Sequence, residues 1–286
     1  EGPALLDSVA PLREVAAARQ ALKRFLGLPG RPLVLTGAGC STDSGIPDYR
    51  GPNGAWRSRQ PIQFRDFCQR LEARQRYWAR SMLGYPRMAE ATPNGVHYAL
   101  ASLAKRGLLG LLVTQNVDDL HRRAGHSRVL DLHGRIARVR CLGCGHRSPR
   151  MLLQRRLEAL NAGLLTAPAG DTQLAPDGDA ELEDSANLKD FRVPSCLRCG
   201  GVLKPDVVFF GESVPGARVQ AVRAALREAS GLLVLGSSLA VFSGFRFCRD
   251  AVALGKPVLI ATQGVTRGDE LATTKIEVPL RDLLAP

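Results

Sequence analysis

The sequence predicts an α/β fold, in which a Rossmann-like, doubly wound parallel sheet carries a smaller inserted module. Three observations lead to this prediction. Short, continuously apolar runs recur along the chain, longer segments with helical spacing lie between them, and one internal stretch interrupts the alternation. Continuous apolar runs are typical of parallel strands covered on both faces, and their alternation with helices is typical of a doubly wound sheet.

Six runs are predicted as strands because they are short and apolar, most of them rich in branched aliphatic residues. They cover residues 33–36, 111–114, 129–132, 207–210, 232–235 and 258–261. Segments rich in Ala, Leu and Arg lie between them. The clearest predicted helices cover residues 9–26, 94–106, 217–229 and 244–254.

Two stretches depart from this alternation. Residues 52–93 suggest a helical insertion, in which Tyr77 and Trp78 are predicted to be core residues rather than ligand contacts. Residues 135–203 show few strand signals and include a surface loop, residues 171–190, with seven acidic residues and a single Lys. We therefore predict that residues 1–134 and 204–286 form the Rossmann-like domain and that residues 135–203 form the inserted module.

The composition is that of an ordinary globular chain. Hydrophobic residues make up 45% of the 286 residues and charged residues 23%, which argues against a disordered or fibrous protein. No apolar run reaches the roughly 18 to 20 residues of a membrane-spanning helix, so we do not expect a membrane protein. Lys and Arg total 39 against 27 Asp and Glu, a net charge of +12 that favours anionic partners. No block of like charges marks a nucleic-acid tail, and a solvated basic surface is the favoured interpretation.

The seven cysteines include two Cys-x-x-Cys pairs, Cys141 with Cys144 and Cys196 with Cys199. Four thiolates can hold zinc in a closed tetrahedral site, which would be structural because no position stays open for water. The 51 residues between the pairs exceed the usual spacing of about 15 to 20, but loop closure costs little more as a loop lengthens. The alternative is a pair of redox motifs, which is disfavoured because neither pair opens a helix after a strand. The remaining thiols fit a reducing compartment.

Polar motifs follow several predicted strands. The first strand ends in a Gly-x-Gly turn, Gly37 to Gly39, where glycines let the backbone approach a pyrophosphate. Alone this signal is weak, because the third glycine position holds Thr42 and no acidic residue follows at dinucleotide spacing. Further motifs occupy residues 44–50 (SGIPDYR), 114–118 (TQNVD), 132–134 (LHG), 204–212 (KPDVVFFGE) and 236–239 (GSSL). Strand ends of a parallel sheet meet at one edge, so these motifs are expected to converge.

In this order the motifs resemble those of the sirtuins, the NAD-dependent protein deacylases, over nearly the whole chain. Details such as residues 74–80 (RQRYWAR) and 236–247 (GSSLAVFSGFRF) look most like the class II branch, which includes a mitochondrial sirtuin with weak deacetylase activity and its bacterial relatives. The resemblance implies NAD and Zn²⁺ as cofactors, acyl-lysine proteins or peptides as substrates, and the mitochondrial matrix or a bacterial cytoplasm as the location.

The resemblance also implies roles for particular residues. Three are expected to be catalytic: His133 as the general base, with Asn116 and Asp118 holding the nicotinamide carboxamide and ribose. The expected NAD contacts are Gly37, Ala38, Gly39, Asp48, Tyr49, Arg50, Arg57, Gln115, Asn116, Val117, Asp118, Gly236, Ser237, Ser238, Thr262, Gln263, Gly264 and Leu280. The substrate would pair as an extended strand with the segment holding Val207, Phe209, Phe210, Gly211 and Glu212. An imidazole suits the role of base because its ordinary pKa lies near 6.5.

Two departures from the family pattern affect specificity. Residues 261–264 read ATQG where the family commonly has Asn for the adenosine ribose, and residues 51–59 lack the Tyr-x-x-Arg of the branch that removes short dicarboxylic acyl groups. We therefore predict a preference for longer or bulkier acyl groups, with Arg57 or Arg59 as candidate contacts for a carboxylate. Protein mono-ADP-ribosyl transfer is an alternative activity, and a zinc-ribbon nucleic-acid binder is an alternative from another class.

Overall fold

The structure is a computed structural model that describes residues 9–48, 61–164 and 188–285. The described strands are β1 (Leu33–Thr36), β2 (Leu112–Thr114), β3 (Val129–Asp131), β4 (Gly134–Cys141), β5 (Arg147–Pro149), β6 (Leu203–Val207), β7 (Leu232–Leu235), β8 (Val258–Ala261) and β9 (Thr274–Ile276). The described helices are α1 (Val15–Leu26), α2 (Phe64–Gln69), α3 (Leu71–Glu90), α4 (Gly95–Lys105), α5 (Leu120–Arg123), α6 (Arg150–Leu160), α7 (Gly216–Glu228), α8 (Phe242–Ala253) and α9 (Leu280–Leu283).

A parallel sheet of six strands, in the order β3-β2-β1-β7-β8-β9, forms the larger part of the fold. The predicted α/β class is confirmed. The chain builds outward from β1 in one direction and from β7 in the other, so the strand order reverses between these two neighbours. Ligands of open α/β sheets bind outside the carboxyl ends of the strands at such a switch point.

Helices cover both faces of this sheet. Val34 of β1 packs with α1, α4 and α9 on one face, whereas its neighbours Leu33 and Leu35 pack with α7 and α8 on the other. Every residue of β1, β2, β7 and β8 is buried. Burial on both faces explains why these strands are apolar without alternation.

A second, antiparallel sheet has the order β5-β4-β6. Strands β4 and β5 of this sheet were not predicted, and one prediction was wrong: the run at 207–210 is not a strand of the parallel sheet, and of its residues only Val207 lies in a strand, at the end of β6. The strands of this small sheet carry charged residues. Arg138 and Arg147 both pair with the buried Asp206, at 3.0 and 3.2 Å. Ion pairs let polar residues occupy buried strand positions, so a search for apolar runs overlooks them.

The insertion before α4 is helical, as expected, and packs on this small sheet. Trp78 and Tyr77 of α3 are buried, which confirms them as core residues. Phe67 of α2 meets Tyr77 edge-on at 5.5 Å and Phe209 at 5.2 Å between ring centroids. This aromatic cluster therefore connects α2 and α3 to the segment that follows β6.

Further differences between prediction and structure concern the start of one helix and a strand that was not predicted. Helix α1 begins at Val15 rather than at residue 9, and β9 was not predicted. The division into two domains stays a prediction, and its boundaries fall at strands β4 and β6 of the small sheet. Among the described residues, no helix combines the length and apolar character needed to cross a membrane.

Candidate active site

The turns after β1 and β7 touch each other at the switch point. Gly39 donates a backbone hydrogen bond to the carbonyl of Gly236 at 2.9 Å. A Cβ at Gly37 would lie 2.7 Å from both the carbonyl oxygen of Gly236 and the Cβ of Ser237. The two turns can approach this closely only because Gly37 has no side chain. The predicted pyrophosphate cradle, Gly37 to Gly39, thus lies directly against the turn at Gly236 to Ser238, whose residues are also expected NAD contacts.

The turn after β2 contributes amide and carboxylate side chains to the same edge. Asn116 donates from Nδ2 to the carbonyl of Gly37 at 3.0 Å and to Ser41 Oγ at 3.1 Å. Gln115 donates to Ser237 Oγ at 2.8 Å and so ties this turn to the one after β7. The carbonyl of Val117 accepts from the backbone of Ile136. Residues 115–118 therefore meet both glycine turns, as the strand-end argument predicts.

Asp118 is held by a buried network that the sequence reading missed. Ser41 Oγ lies 2.6 Å from Asp118 Oδ2, and the other carboxylate oxygen accepts from the backbone of Leu120 at 2.9 Å. His97 Nε2 lies 3.4 Å from Ser41 Oγ, and its Nδ1 accepts from the backbone of Asn94. Because Nδ1 accepts, the neutral imidazole carries its proton on Nε2 and donates to Ser41, whose own proton points to Asp118.

Burial shifts the pKa of both ends of this network. It raises the pKa of Asp118, against the hydrogen bond from Ser41, and lowers the pKa of His97 to about 4. Protonation of His97 would also set an N–H against the backbone N–H of Asn94. His97 is therefore a neutral donor at neutral pH. Ser41 follows the predicted turn Gly37 to Gly39 by two residues, but no sequence signal joins it to His97.

His133 follows β3 at the same edge of the sheet. Its Nδ1 lies 3.0 Å from the carbonyl oxygen of Gln115, so Nδ1 carries the proton and the lone pair is on Nε2. Burial lowers the pKa of His133 to about 4, the hydrogen bond to Gln115 opposes that shift, and the charge of Arg218 adds to it. The imidazole is thus neutral and able to accept a proton at Nε2. Ser243 Oγ, not predicted from the sequence, lies 2.8 Å from this atom.

Backbone strain marks the same edge of the sheet. Within the described ranges, the non-glycine residues with a positive φ are Asp119, at 64°, and Leu239, at 55°. Asp119 follows Asp118, and Leu239 follows the turn after β7. Such conformations cost about 1 to 3 kcal/mol each and cluster at functional sites.

Residues 207–210 of the predicted substrate segment alternate between buried and half-buried positions. Val207 and Phe209 are buried, whereas Phe210 and the unpredicted Val208 are half-buried. Glu212 accepts from the backbone of Phe209 at 2.9 Å and pairs with the buried Lys204 at 3.0 Å. The segment is fastened by this ion pair, and Gly211 at its end is exposed. The twofold alternation of a strand is the signal that could have identified Val208.

The predicted contacts for adenosine lie farther along the edge. Thr262, Gln263 and Gly264 follow β8, and Gly264 accepts from the buried Lys275 at 2.9 Å. Leu280 is buried in the core beside the sheet. Asp48 is half-buried. The remaining expected NAD contacts, Tyr49, Arg50 and Arg57, lie outside the described residues, as does Arg59, a candidate contact for an acyl carboxylate.

The four paired cysteines meet in the small sheet. Their Sγ atoms all lie within 4.8 Å of one another. The backbone N–H of Cys144 donates to Cys141 Sγ, which lowers the pKa of Cys141 to about 6, and the N–H of Arg198 lowers that of Cys196. Four sulfurs at this spacing, two of them favoured as thiolates, fit a structural zinc ion. This cysteine cluster is the predicted metal site, and it can hold zinc.

The parallel sheet, the glycine turns and the convergent polar side chains define an α/β protein of the class that binds a ligand at the switch point. The sequence profile of the Sir2 family matches residues 37–243. The chain belongs to the Sir2 family, which confirms its resemblance to the sirtuins. Members of this family use NAD; the family match does not specify the class II branch.

The relatives are bacterial proteins of similar length. The chain is 53% identical over 264 residues to an "NAD-dependent protein deacetylase" of Xanthomonas axonopodis pv. citri, covering 92% of this chain and 89% of the relative. It is 54% identical over 251 residues to an "NAD-dependent protein deacetylase 1" of Streptomyces coelicolor, covering 88% and 83%. A solved structure described as "Sir2-p53 peptide-NAD+" is similar with a TM-score of 0.73, 29% identity and coverage of 93% and 95%.

Proposed function

We propose that this protein is an NAD-dependent protein-lysine deacylase. The observation that supports this most directly is the convergence of the glycine turns, Asn116, Asp118 and a neutral His133 at one switch point. Family membership and the similarity to bacterial deacetylases favour the same activity over a zinc-ribbon nucleic-acid binder.

The residues fit NAD as the second substrate. The two glycine turns meet backbone to backbone, because a Cβ on Gly37 would collide with Gly236 and Ser237, and backbone N–H groups of this kind are what a pyrophosphate binds. The amide of Asn116 is fixed by its nitrogen, and no described residue donates to its Oδ1, which leaves this oxygen for a carboxamide. When bound, NAD would supply the ADP-ribosyl group, which receives the acyl group after nicotinamide has left.

Each polar side chain then has a defined task. Asp118 is held as an acceptor by Ser41 and by the start of α5. His133 accepts a proton at Nε2 from a ribose hydroxyl, and its pKa below the ordinary value keeps that nitrogen free of a proton at neutral pH. The substrate backbone pairs with residues 208–212, whose position the Lys204–Glu212 ion pair fixes.

The experiment uses His133→Ala and an acetyl-lysine peptide with NAD. We expect acyl transfer to fall by about 10²-fold or more, the usual cost of losing a general base. Exchange of labelled nicotinamide should survive better, because nicotinamide leaves before the base acts. Equal loss of both would assign His133 to binding. ADP-ribosylated protein instead of acyl-ADP-ribose, seen by mass spectrometry, would favour mono-ADP-ribosyl transfer.

We further propose the class II branch and a preference for longer or bulkier acyl groups, although the relatives are named deacetylases. The partly exposed Val208 and Phe210 offer apolar contacts, and a hydrophobic wall discriminates by only about 1 to 3 kcal/mol per methylene. The test compares kcat/KM for acetyl, succinyl, lipoyl and methylglutaryl forms of one peptide. A tenfold advantage for acetyl or succinyl would contradict this preference.

The bacterial origin of the relatives favours a bacterial cytoplasm over the mitochondrial matrix as the location. The comparisons give the mitochondrial alternative no support.

A further inference from the structure

The side chain of Ser243 covers the lone pair of the proposed base. His133 donates from Nδ1 to the carbonyl of Gln115, so Nε2 is the acceptor of the neutral ring. Ser243 Oγ lies 2.8 Å from Nε2 and donates its proton there. The two residues are 110 positions apart in the chain. Their contact is therefore made by the tertiary fold.

The start of α8 is built to make this contact. Gly244, next to Ser243, is buried, and a Cβ at this position would lie 2.4 Å from Gln115 Oε1. The absence of a side chain lets α8 lie directly on Gln115. Gln115 in turn provides the carbonyl that orients His133. Gln115 thus contributes to both hydrogen bonds of the imidazole: its carbonyl accepts from Nδ1, and its side chain packs against the start of α8, which carries Ser243.

We propose that Ser243 is a positioning residue, which holds the His133 ring in place through Nε2 until a substrate hydroxyl takes the place of the serine hydroxyl. This proposal rests on the proposed function, in which His133 is the general base. Ser243 keeps its own proton throughout. When the substrate binds, its hydroxyl replaces the Ser243 hydroxyl at Nε2, and the proton that moves to Nε2 comes from the substrate.

Removal of the Ser243 hydroxyl should change the pKa of His133. A hydroxyl that donates to Nε2 stabilises the neutral imidazole, so its removal should raise the pKa of His133 in the free protein. The charged group that acts on His133 is Arg218 of α7, and Asp131 and Asp206 face Arg218. None of these is altered by changing Ser243. The carbonyl of Gln115 also keeps its place.

The experiment follows the His133 signal by NMR in protein labelled with ¹³C-histidine. His133→Ala assigns that signal among the five histidines. In Ser243→Ala the pKa should rise by about half to one pH unit, the equivalent of one neutral hydrogen bond. Ser243→Thr keeps the hydroxyl and should restore the lower pKa. Ser102→Ala, on the exposed face of α4, is the matched control and should leave it unchanged.

Kinetics distinguish positioning from a direct part in proton transfer. With Ser243→Ala, the acidic limb of kcat/KM should move to higher pH, because it reports the free enzyme. The limb of kcat should stay in place, because substrate has already displaced Ser243. A loss of kcat of about 10²-fold at all pH values would overturn positioning in favour of a proton relay.

Two further outcomes separate this proposal from the proposed function. An unchanged pKa of His133 in an active Ser243→Ala variant overturns the role of Ser243 alone. A wild-type protein that releases no nicotinamide from NAD, with any acyl peptide, overturns the proposed function whatever the NMR titration gives.

Discussion

The six-stranded sheet and the three-stranded module, which we define as β4, β5, β6, α6 and the cysteine cluster, are stabilised in different ways. In the sheet, branched aliphatic side chains fill two cores between strands and helices. In the module, buried charges carry part of the packing: Arg150 lies over the rings of Trp78 and Tyr85, at 5.3 and 4.5 Å from their centroids, and Asp206 pairs with two arginines.

The two regions differ in the change of conditions to which each should be sensitive. The histidines with a lowered pKa, His97, His121, His126 and His133, lie beside the six-stranded sheet. The four clustered thiols lie in the module. We therefore expect acid to affect the sheet region and metal removal to affect the module. The following predictions test this contrast from the largest effect to the smallest.

Loss of the metal should have the largest effect. Structural zinc contributes folding free energy directly, with apparent values of about 10 to 16 kcal/mol in small zinc-finger peptides. Cys141→Ser or Cys199→Ser should lose one bound zinc per chain and strongly destabilise the fold, as metal analysis and thermal unfolding can show. Cys68→Ser, a partly exposed thiol outside the cluster, should do neither. A metal-free wild type of full stability would reject the zinc site.

A change at the switch point should have a smaller effect on stability and a direct effect on ligand binding. In Gly37→Ala the new methyl would force the turns after β1 and β7 apart, because its place lies 2.7 Å from Gly236 and Ser237. Overpacking of this kind costs about 1 to 3 kcal/mol of folding stability. Separation of the turns also distorts the surface proposed to bind NAD, so the Kd for NAD should rise by about tenfold or more.

Calorimetry measures this Kd. The matched control is Gly216→Ala at the start of α7, where an added Cβ meets nothing within 4 Å. Unchanged NAD binding in Gly37→Ala would show that the close contact of the two turns does not shape the site.

Acid should destabilise the sheet region by the smallest amount. The pKa of His97 is about 4 in the folded protein and near its ordinary 6.5 when unfolded, so the unfolded chain binds more protons between these values. Stability is full above about pH 6.5 and falls as the pH drops toward 4. At pH 5.5 this single residue should lower the free energy of unfolding by about 1 kcal/mol.

Urea unfolding of the zinc-loaded protein at two pH values measures the contribution of His97 to the free energy of unfolding. His97→Gln can keep an acceptor for Asn94 and a donor for Ser41 without titrating, so its stability should depend less on pH. Equal pH dependence in both proteins would place the acid-sensitive group elsewhere.

Local patterns in the sequence predicted five of the six strands of the parallel sheet, most of the motifs at their ends and the pairing of cysteines into one cluster. These features depend on short-range periodicity, on glycine at a turn and on the rule that parallel strands end at one edge. The module strands could not be predicted in this way, because they carry charged residues such as Arg138, whose partner Asp206 is distant in the chain.

The tertiary structure alone decided which side chains control the reactive groups. Ser41 and His97 orient Asp118, and Ser243 reaches His133 because Gly244 lets α8 pack on Gln115. The residues in each contact are far apart in the chain, and hydrogen bonds act over about 3 Å, so a partner is fixed only when the helices and turns are packed. The sequence identifies the candidate reactive residues, whereas their packing determines their tautomers, their pKa values and their neighbours.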